Sequence, residues 1–166
     1  MTGAELYSFL YTWATGVLGA TPVIRAYQNG AKPADLYVAI EDDQSWDSFG
    51  RGTSGQTTTT SSVSYDYEIE PVFWEVSNGA GYGDTLRDLR QSLDKAATKA
   101  AFKAAKIGIL SVGDIISMPW TSTETQIVRE KRMSIRLSVS TKVDDNPGTP
   151  GAILTVETVN DLSAAA

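Results

Sequence analysis

Apolar residues near the start of the chain recur at the spacing of an α-helix. The positions are Leu6, Phe9, Leu10, Trp13 and Val17. A helix of 3.6 residues per turn places them on one side. Thr2 and Glu5 have the order of a capping box, in which each side chain binds the other residue's backbone N–H. The pattern therefore predicts a helix over residues 2–18 that stops at Gly19.

Two apolar runs, Val23-Ile24 and Leu36 to Ile40, enclose the polar residues 28–35. Asn29-Gly30 favours the positive φ angles of a tight turn, and Pro33 lacks a backbone donor. We therefore expect the corner of an antiparallel pair of strands. A phosphate-binding loop would require GxxxxGK[ST] at the start of a helix, whereas here a single glycine is followed by a strand pattern.

Two longer segments alternate between apolar and polar residues with the period of a β-strand. The segment from Val63 to Phe73 has an acidic polar face, and the segment from Met133 to Val139 has arginines on its polar face. If the two strands pair antiparallel, the acids of one meet the arginines of the other. Near Pro71 both faces become apolar, which indicates a bulge or an edge position.

A second helix is predicted between these strands, with Asp84 or Thr85 as its cap and Gly108 at its end. Small residues in its second half let a helix approach a sheet closely, so we expect the alanines on the buried side. The apolar positions are Leu86, Leu89, Leu93, Ala96, Ala97, Ala100 and Ala104.

The remaining segments complete an α+β fold. Residues 113–118 suggest a short strand closed by Pro119, residues 144–151 a turn, and Ile153 to Val159 a final strand. Residues 43–62, rich in Gly, Ser, Thr and Asp, have no core-forming pattern. We predict one domain over residues 1–166 with a flexible arm at 43–62. The expected fold is a mixed or mainly antiparallel sheet with two helices packed on one face, together with a long extended loop arm.

Composition narrows the possible chemistry. The 166 residues include no cysteine and no histidine, which excludes disulfides, thiolate zinc sites and an imidazole base. No apolar run approaches the length of a membrane span. The formal charge is −6, which disfavours nucleic-acid binding. Residues 84–106 contain six basic and three acidic residues, so this segment has a charge of +3 and the remainder −9.

The carboxylate clusters Glu41-Asp42-Asp43 and Asp144-Asp145 are candidates for a hard cation. Neither has the spacing of a calcium loop, and both stand beside turn residues. We interpret them as solvated turns and expect no metal or other cofactor.

The carboxylates Asp66, Glu68 and Glu70 share one strand face, as a pair of hydrolase carboxylates would require. An exposed strand face is normally charged, and Arg132 and Arg136 are available as partners. Catalysis by these residues is therefore an alternative and not our main expectation.

Lys95, Lys99, Lys103 and Lys106 are spaced by four, four and three residues, along one stripe of a helix. They form either a solubilising face opposite the alanines or an interface for an acidic neighbour. A second copy of this acidic chain is a suitable neighbour. Both interpretations stay open at this point.

Two aromatic residues, Trp46 and Phe49, lie in the arm together with Arg51. They either cover their own domain or dock into a partner, since aromatics and arginine dominate interface energetics. We include the three residues and the four lysines as candidates for a subunit interface.

Five segments in this order resemble the tail or neck terminator proteins of tailed bacteriophages. They are the helix LYSFLYTWATGVL, the corner VIRAYQNGAKPADLYVAI, the strand VSYDYEIEPVFW, the helix LRDLRQSL, and ISMPW followed by REKRMSIRLSVST. The resemblance extends over roughly residues 4–160. The long loop after the second strand would correspond to a family arm that reaches a neighbour or an adjoining ring, although its Thr/Ser-rich part, residues 53–62, is rather long here. The lysine stripe has no place in the family pattern.

The resemblance implies a structural protein of the virion. Its subunits would form a ring, generally a hexamer, between head connector and tail tube, leaving a channel through which DNA passes without specific binding. Its partners would be its own copies and the adjoining connector and tube proteins, with no enzyme activity and no membrane. The alternatives are a carbohydrate-binding module, suggested by four Trp and seven Tyr, and a carboxylate-based hydrolase.

Overall fold

The computed structural model describes the backbone of residues 1–27, 30–42, 47–57, 60–78, 84–123 and 126–145, and the side chains of residues 1–27, 30–42, 67–77, 84–118 and 128–140. Within these ranges the chain forms three helices and eight strands. In chain order they are α1 Gly3–Leu18, β1 Val23–Arg25, β2 Tyr37–Glu41, β3 Asp47–Thr57, β4 Thr60–Ile69, β5 Val72–Asn78, α2 Thr85–Ser92, α3 Ala96–Ala104, β6 Ile107–Val112, β7 Ile116–Thr123 and β8 Gln126–Asp145.

The sheet is organised around β8, a strand of 20 residues. On one side it pairs antiparallel with β5 and then β4, and on the other with β7 and then β6. Outside these, β2 pairs with β5, β1 with β2, and β3 with β4. The sequence prediction that the acidic strand pairs antiparallel with the arginine-bearing strand is confirmed, and Glu68 forms an ion pair with Arg136.

The three helices pack on one face of the sheet, where a single apolar cluster forms. The α+β fold class is confirmed, with a mixed sheet and three helices in place of the two expected. The cluster includes Leu6 and Leu10 of α1, Leu86 and Leu89 of α2, Phe102 of α3, and Val38, Ile40, Phe73, Met133, Ile135, Leu137 and Val139 of the sheet.

Helix α1 has the predicted start and stop. The backbone N–H of Thr2 donates to the Glu5 carboxylate at 2.7 Å, and the Glu5 N–H donates to the Thr2 hydroxyl at 3.3 Å. At its other end Gly19 has φ +60°, a conformation that glycine adopts at low cost.

The pairing expected for residues 23–40 is wrong, because β1 and β2 run parallel. Val23 lies opposite Val38, and both side chains are buried on the helix-covered face. The parallel pairing requires residues 26–36 to cross back over the sheet. A tight turn would instead bring the strands together antiparallel.

The predicted helix over residues 85–104 is two helices. In one continuous helix the nine residues from Leu93 to Phe102 would turn the chain through about 900°, so the two side chains would point about 180° apart. A break at residues 93–95 lets both Leu93 and Phe102 reach the core, where they are 4% and 1% exposed. It also turns the alanines outward. All four alanines expected on the buried side, Ala96, Ala97, Ala100 and Ala104, are exposed.

Pro71 occupies neither a bulge nor an edge. From the Ile69–Leu137 pair to the Val72–Ser134 pair both strands advance by the same three residues, so no residue is inserted. Pro71 cannot donate to β8, but its carbonyl accepts from the Ile135 N–H at 3.1 Å. Strands β4 and β5 therefore form one ladder along β8.

Three other elements differ from expectation. Strand β6 was not predicted and contains Gly108, and β7 continues through Pro119 to Thr123. Residues 47–57 of the arm pair with residues 60–69 as an antiparallel hairpin and do not form a loop. Residues 43–46 and the predicted final strand lie outside the described residues.

We predict that Phe102→Ala lowers the free energy of unfolding by about 3–5 kcal/mol. Phe102 is the buried residue of α3, and its ring packs edge-on against Phe9 at 4.8 Å and Trp13 at 5.4 Å between centroids. Urea unfolding provides the measurement. Ala100→Ser, at an exposed position of the same helix, is the control and should change stability by less than about 0.5 kcal/mol. Equal losses in the two variants would contradict an orientation of α3 that buries Phe102 and exposes the alanines.

Candidate interaction surfaces

The four lysines proposed from the sequence are exposed around α3. Lys99 and Lys103 lie within the helix, whereas Lys95 precedes its first residue with an extended backbone. Lys106 follows the helix with φ +60° and turns the chain into β6. Lys99 is 3.6 Å from the Asp94 carboxylate. Within the described part of the chain, Lys95, Lys103 and Lys106 form no ion pair.

A groove lies between α3 and β6, with a volume of about 560 Å³. We call it the α3–β6 groove. Three lysines and Asp94 stand at its rim, so an apolar floor is surrounded mainly by positive charge. The lining residues are Leu93, Phe102, Ile107, Gly108, Ile109 and Val112, with Asp94, Lys99, Lys103 and Lys106.

The candidate residues of the arm are only partly described. Trp46 lies outside the described residues, and the side chains of Phe49 and Arg51 do too. The backbone of both residues belongs to β3, where Phe49 is opposite Asp66 of β4. Strand β3 therefore lies on the side of β8 where β1 and β3 are outermost, whereas the α3–β6 groove lies on the side of β6.

The face of the sheet opposite the helices has its own cavity, of about 590 Å³. Tyr37 and Trp74 are among the residues that line it, and the crossing segment that follows β1 closes one side. The Glu41 carboxylate accepts a hydrogen bond from the Trp74 indole N–H at 2.8 Å and from the Tyr27 hydroxyl at 3.4 Å. Burial raises the pKa of Tyr37, and the charge of Glu130 raises it further.

The arrangement of this cavity does not favour the carbohydrate-binding alternative. Tyr37 is buried, so its ring is not an exposed stacking platform. The polar atoms of Trp74 and Tyr27 are already bonded to Glu41 within the fold.

The acidic clusters have structural partners where they are described. The Asp42 side chain is only 7% exposed and accepts two hydrogen bonds from Arg25, at 2.9 Å and 2.7 Å, so the solvated-turn interpretation is wrong for this residue. Arg25 also lies over the Tyr7 ring, 4.9 Å from its centroid. Asp43 and the side chains of Asp144 and Asp145 lie outside the described residues. Among the described residues no group of three or more Asp or Glu side chains is placed to hold a metal ion.

A buried ionic cluster that sequence reasoning missed joins α2 to the sheet. Glu75 of β5 is 3% exposed, and its carboxylate accepts from the Lys131 ammonium at 2.9 Å, from the Leu86 backbone N–H at 3.2 Å and from the Thr85 hydroxyl. It therefore caps the start of α2 from a neighbouring strand. The sequence signal was the position of Glu75, which is in phase with the apolar residues Ile69 and Phe73, although an acid by its residue type is normally assigned to solvent.

No helix in the described ranges is both long enough and apolar enough to cross a membrane.

Comparison with known proteins matches residues 4–165 to the family described as Phage neck terminator protein. This match confirms the resemblance found in the sequence. Among solved structures, a chain of the "Virion of native gene transfer agent (GTA) particle" is similar, with 19% identity and a TM-score of 0.32. The similarity covers 84% of this chain and 94% of that one. No curated protein matches the chain.

We predict that Glu75→Ala lowers the free energy of unfolding by about 3 kcal/mol, since it leaves the Lys131 ammonium without its carboxylate and α2 without its cap. The loss lies at the low end for a buried pair because the Lys131 side chain is 24% exposed. Chemical denaturation measures the change. The control is Glu70→Ala, which removes an exposed acid between β4 and β5. A Glu75→Ala protein as stable as this control would show that the cluster contributes nothing.

Proposed function

Because the chain belongs to the phage neck terminator family, with a match over residues 4–165, we propose that it forms a ring at the junction of phage head and tail. The protein is a structural component of the phage neck and belongs to the virion. In the proposed ring, generally a hexamer, the subunits cap the tail tube and leave a channel for DNA. The family match is the observation on which this proposal depends.

The charge distribution supports contacts between copies. Residues 84–106 have a charge of +3, and the remainder of the chain has −9. Opposite charge on separate parts of one subunit favours a head-to-tail contact, which closes into a ring when the rotation allows. We propose that Lys95, Lys99, Lys103 and Lys106 form one side of this contact.

The arm supplies a second proposed contact. Trp46, Phe49 and Arg51 are of the residue types that dominate interface energetics, and two of them belong to β3 at the edge of the sheet. We propose that this region reaches a neighbouring subunit or an adjoining ring, formed by head-connector or tail-tube protein.

The net charge of the chain supports a passive channel. A ring of subunits with a formal charge of −6 each repels the phosphate backbone overall, so DNA passes without specific binding. We propose no catalytic role. The Glu68 carboxylate of the hydrolase alternative is paired with Arg136, and no observation favours that alternative over a structural one.

We expect native mass spectrometry of the purified protein to show a closed assembly at six times the mass of the chain. Light scattering over a concentration series checks the same state in solution. A monomer at high micromolar concentration would contradict the proposed ring.

We expect the amides of residues 47–57 to exchange slowly with solvent in the assembly and rapidly in a dissociated subunit. The reason is that β3 forms an edge of the sheet, and its hairpin partner alone protects it within one copy. Hydrogen exchange followed by mass spectrometry measures the difference. The core strand residues Met133 to Val139 are the internal control and should be protected in both states.

A further inference from the structure

The α3–β6 groove has the chemistry of a socket for an apolar and acidic segment. Its floor includes Phe102 and Ile107, and its rim has Lys99, Lys103 and Lys106. Burial of an aromatic side chain in such a floor is favourable, and carboxylates beside it would meet the lysines. Asp94 offers only one exposed carboxylate to these three lysines within the described residues.

One segment of the chain has this complementary chemistry. Residues 43–49, DQSWDSF, contain two aromatic residues, Trp46 and Phe49, and two acids, Asp43 and Asp47, with no basic residue before Arg51. The carboxylate of Asp42 is already bound by Arg25. The segment therefore begins directly after a residue that is fixed to the sheet.

The strands that flank the segment and the strand that lines the groove lie on opposite sides of β8. Asp42 follows β2, which pairs with β5, and Asp47 begins β3, which pairs with β4. Strand β8 lies next, and β6 is on its other side. From β3 to β6 there are three strand spacings, about 14 Å in total. The described ends of the segment, Asp42 and Asp47, are therefore each separated from the groove of their own copy by two strands.

We propose that residues 43–49 of one copy dock in the α3–β6 groove of the next copy. The aromatic side chains fill the apolar floor, and Asp43 and Asp47 lie beside Lys99 and Lys103. The contact uses two different surfaces of the subunit, so each copy offers one socket and one segment, and the chain of contacts closes as a ring. The inference rests on the proposed self-assembly and adds the two surfaces that carry it out.

Exchanging the charges tests this pairing directly. Variant one has Lys99→Glu with Lys103→Glu, and variant two has Asp43→Lys with Asp47→Lys. In each variant alone the segment and the socket have like charges. We expect the concentration needed for half-assembly to rise by at least about tenfold, which corresponds to about 1.4 kcal/mol.

A mixture of the two variants in equal amounts should recover assembly. The acidic socket of variant one accepts the basic segment of variant two, and the lysine socket of variant two accepts the acidic segment of variant one. Native mass spectrometry should therefore find rings in which the two variants occur in equal number. A single chain with all four substitutions should assemble by itself.

The matched control is Arg87→Glu with Arg90→Glu, which changes the net charge as much as variant one. Both residues are exposed on the same helical region, and neither lines the groove. We expect wild-type assembly from this control. Unfolding midpoints equal to wild type establish that each variant is folded.

The outcomes separate the two proposals. If the wild-type chain assembles and the folded variants do not recover on mixing, the docking proposal is wrong and the ring remains. If the wild-type chain is a monomer throughout, both are wrong.

A second experiment deletes residues 146–166, and unchanged assembly of the shortened chain agrees with the proposal. If the deletion instead makes Lys99 and Lys103 of the dissociated chain accessible to a labelling reagent, the occupant of the groove is the chain's own C-terminal segment. That result would overturn the docking proposal.

Discussion

The antiparallel ladder along β8 is the interaction on which the rest of the structure depends. Its 20 residues pair with β5 and β4 on one side and with β7 and β6 on the other. Pairing on both sides satisfies the backbone polar groups in the middle of the sheet, where Met133 and Leu137 are fully buried. Two strands in succession, β5 and β4, line one side of β8, and two others, β7 and β6, line the other side. The sheet therefore has two different edges.

The two edges have different chemistry. Strands β1 and β3 are outermost on one side of β8, and the lysine-rimmed groove lies beside β6 on the other. A two-fold dimer requires one patch that complements itself, whereas unlike patches produce head-to-tail contacts. Head-to-tail contacts that repeat from copy to copy would suit a structural protein that assembles in the phage neck.

The buried ion pairs fix elements of the fold in position, whereas the exposed charges can bind a neighbouring molecule. Glu75 fixes the start of α2, and the Arg25–Asp42 pair fixes the chain where the arm begins. The Glu68–Arg136 pair is more exposed and contributes less to stability, typically below about 1 kcal/mol. Within the described part of the chain, Lys103 and Lys106 form no ion pair, so their charges are available to a neighbouring molecule.

The sequence by itself determined the elements whose signals lie in consecutive residues. These are α1 with its capping box, the two long alternating strands and the exposure of the lysines, because helix and strand periods are local properties of the chain. Only the tertiary structure decided that β1 and β2 are parallel, that the helix breaks before Ala96, and that Glu75 is buried. Each of these depends on which faces meet in space. Leu93 and Phe102 reach one core only if the helix between them breaks, and the apolar floor of the groove exists only because it does.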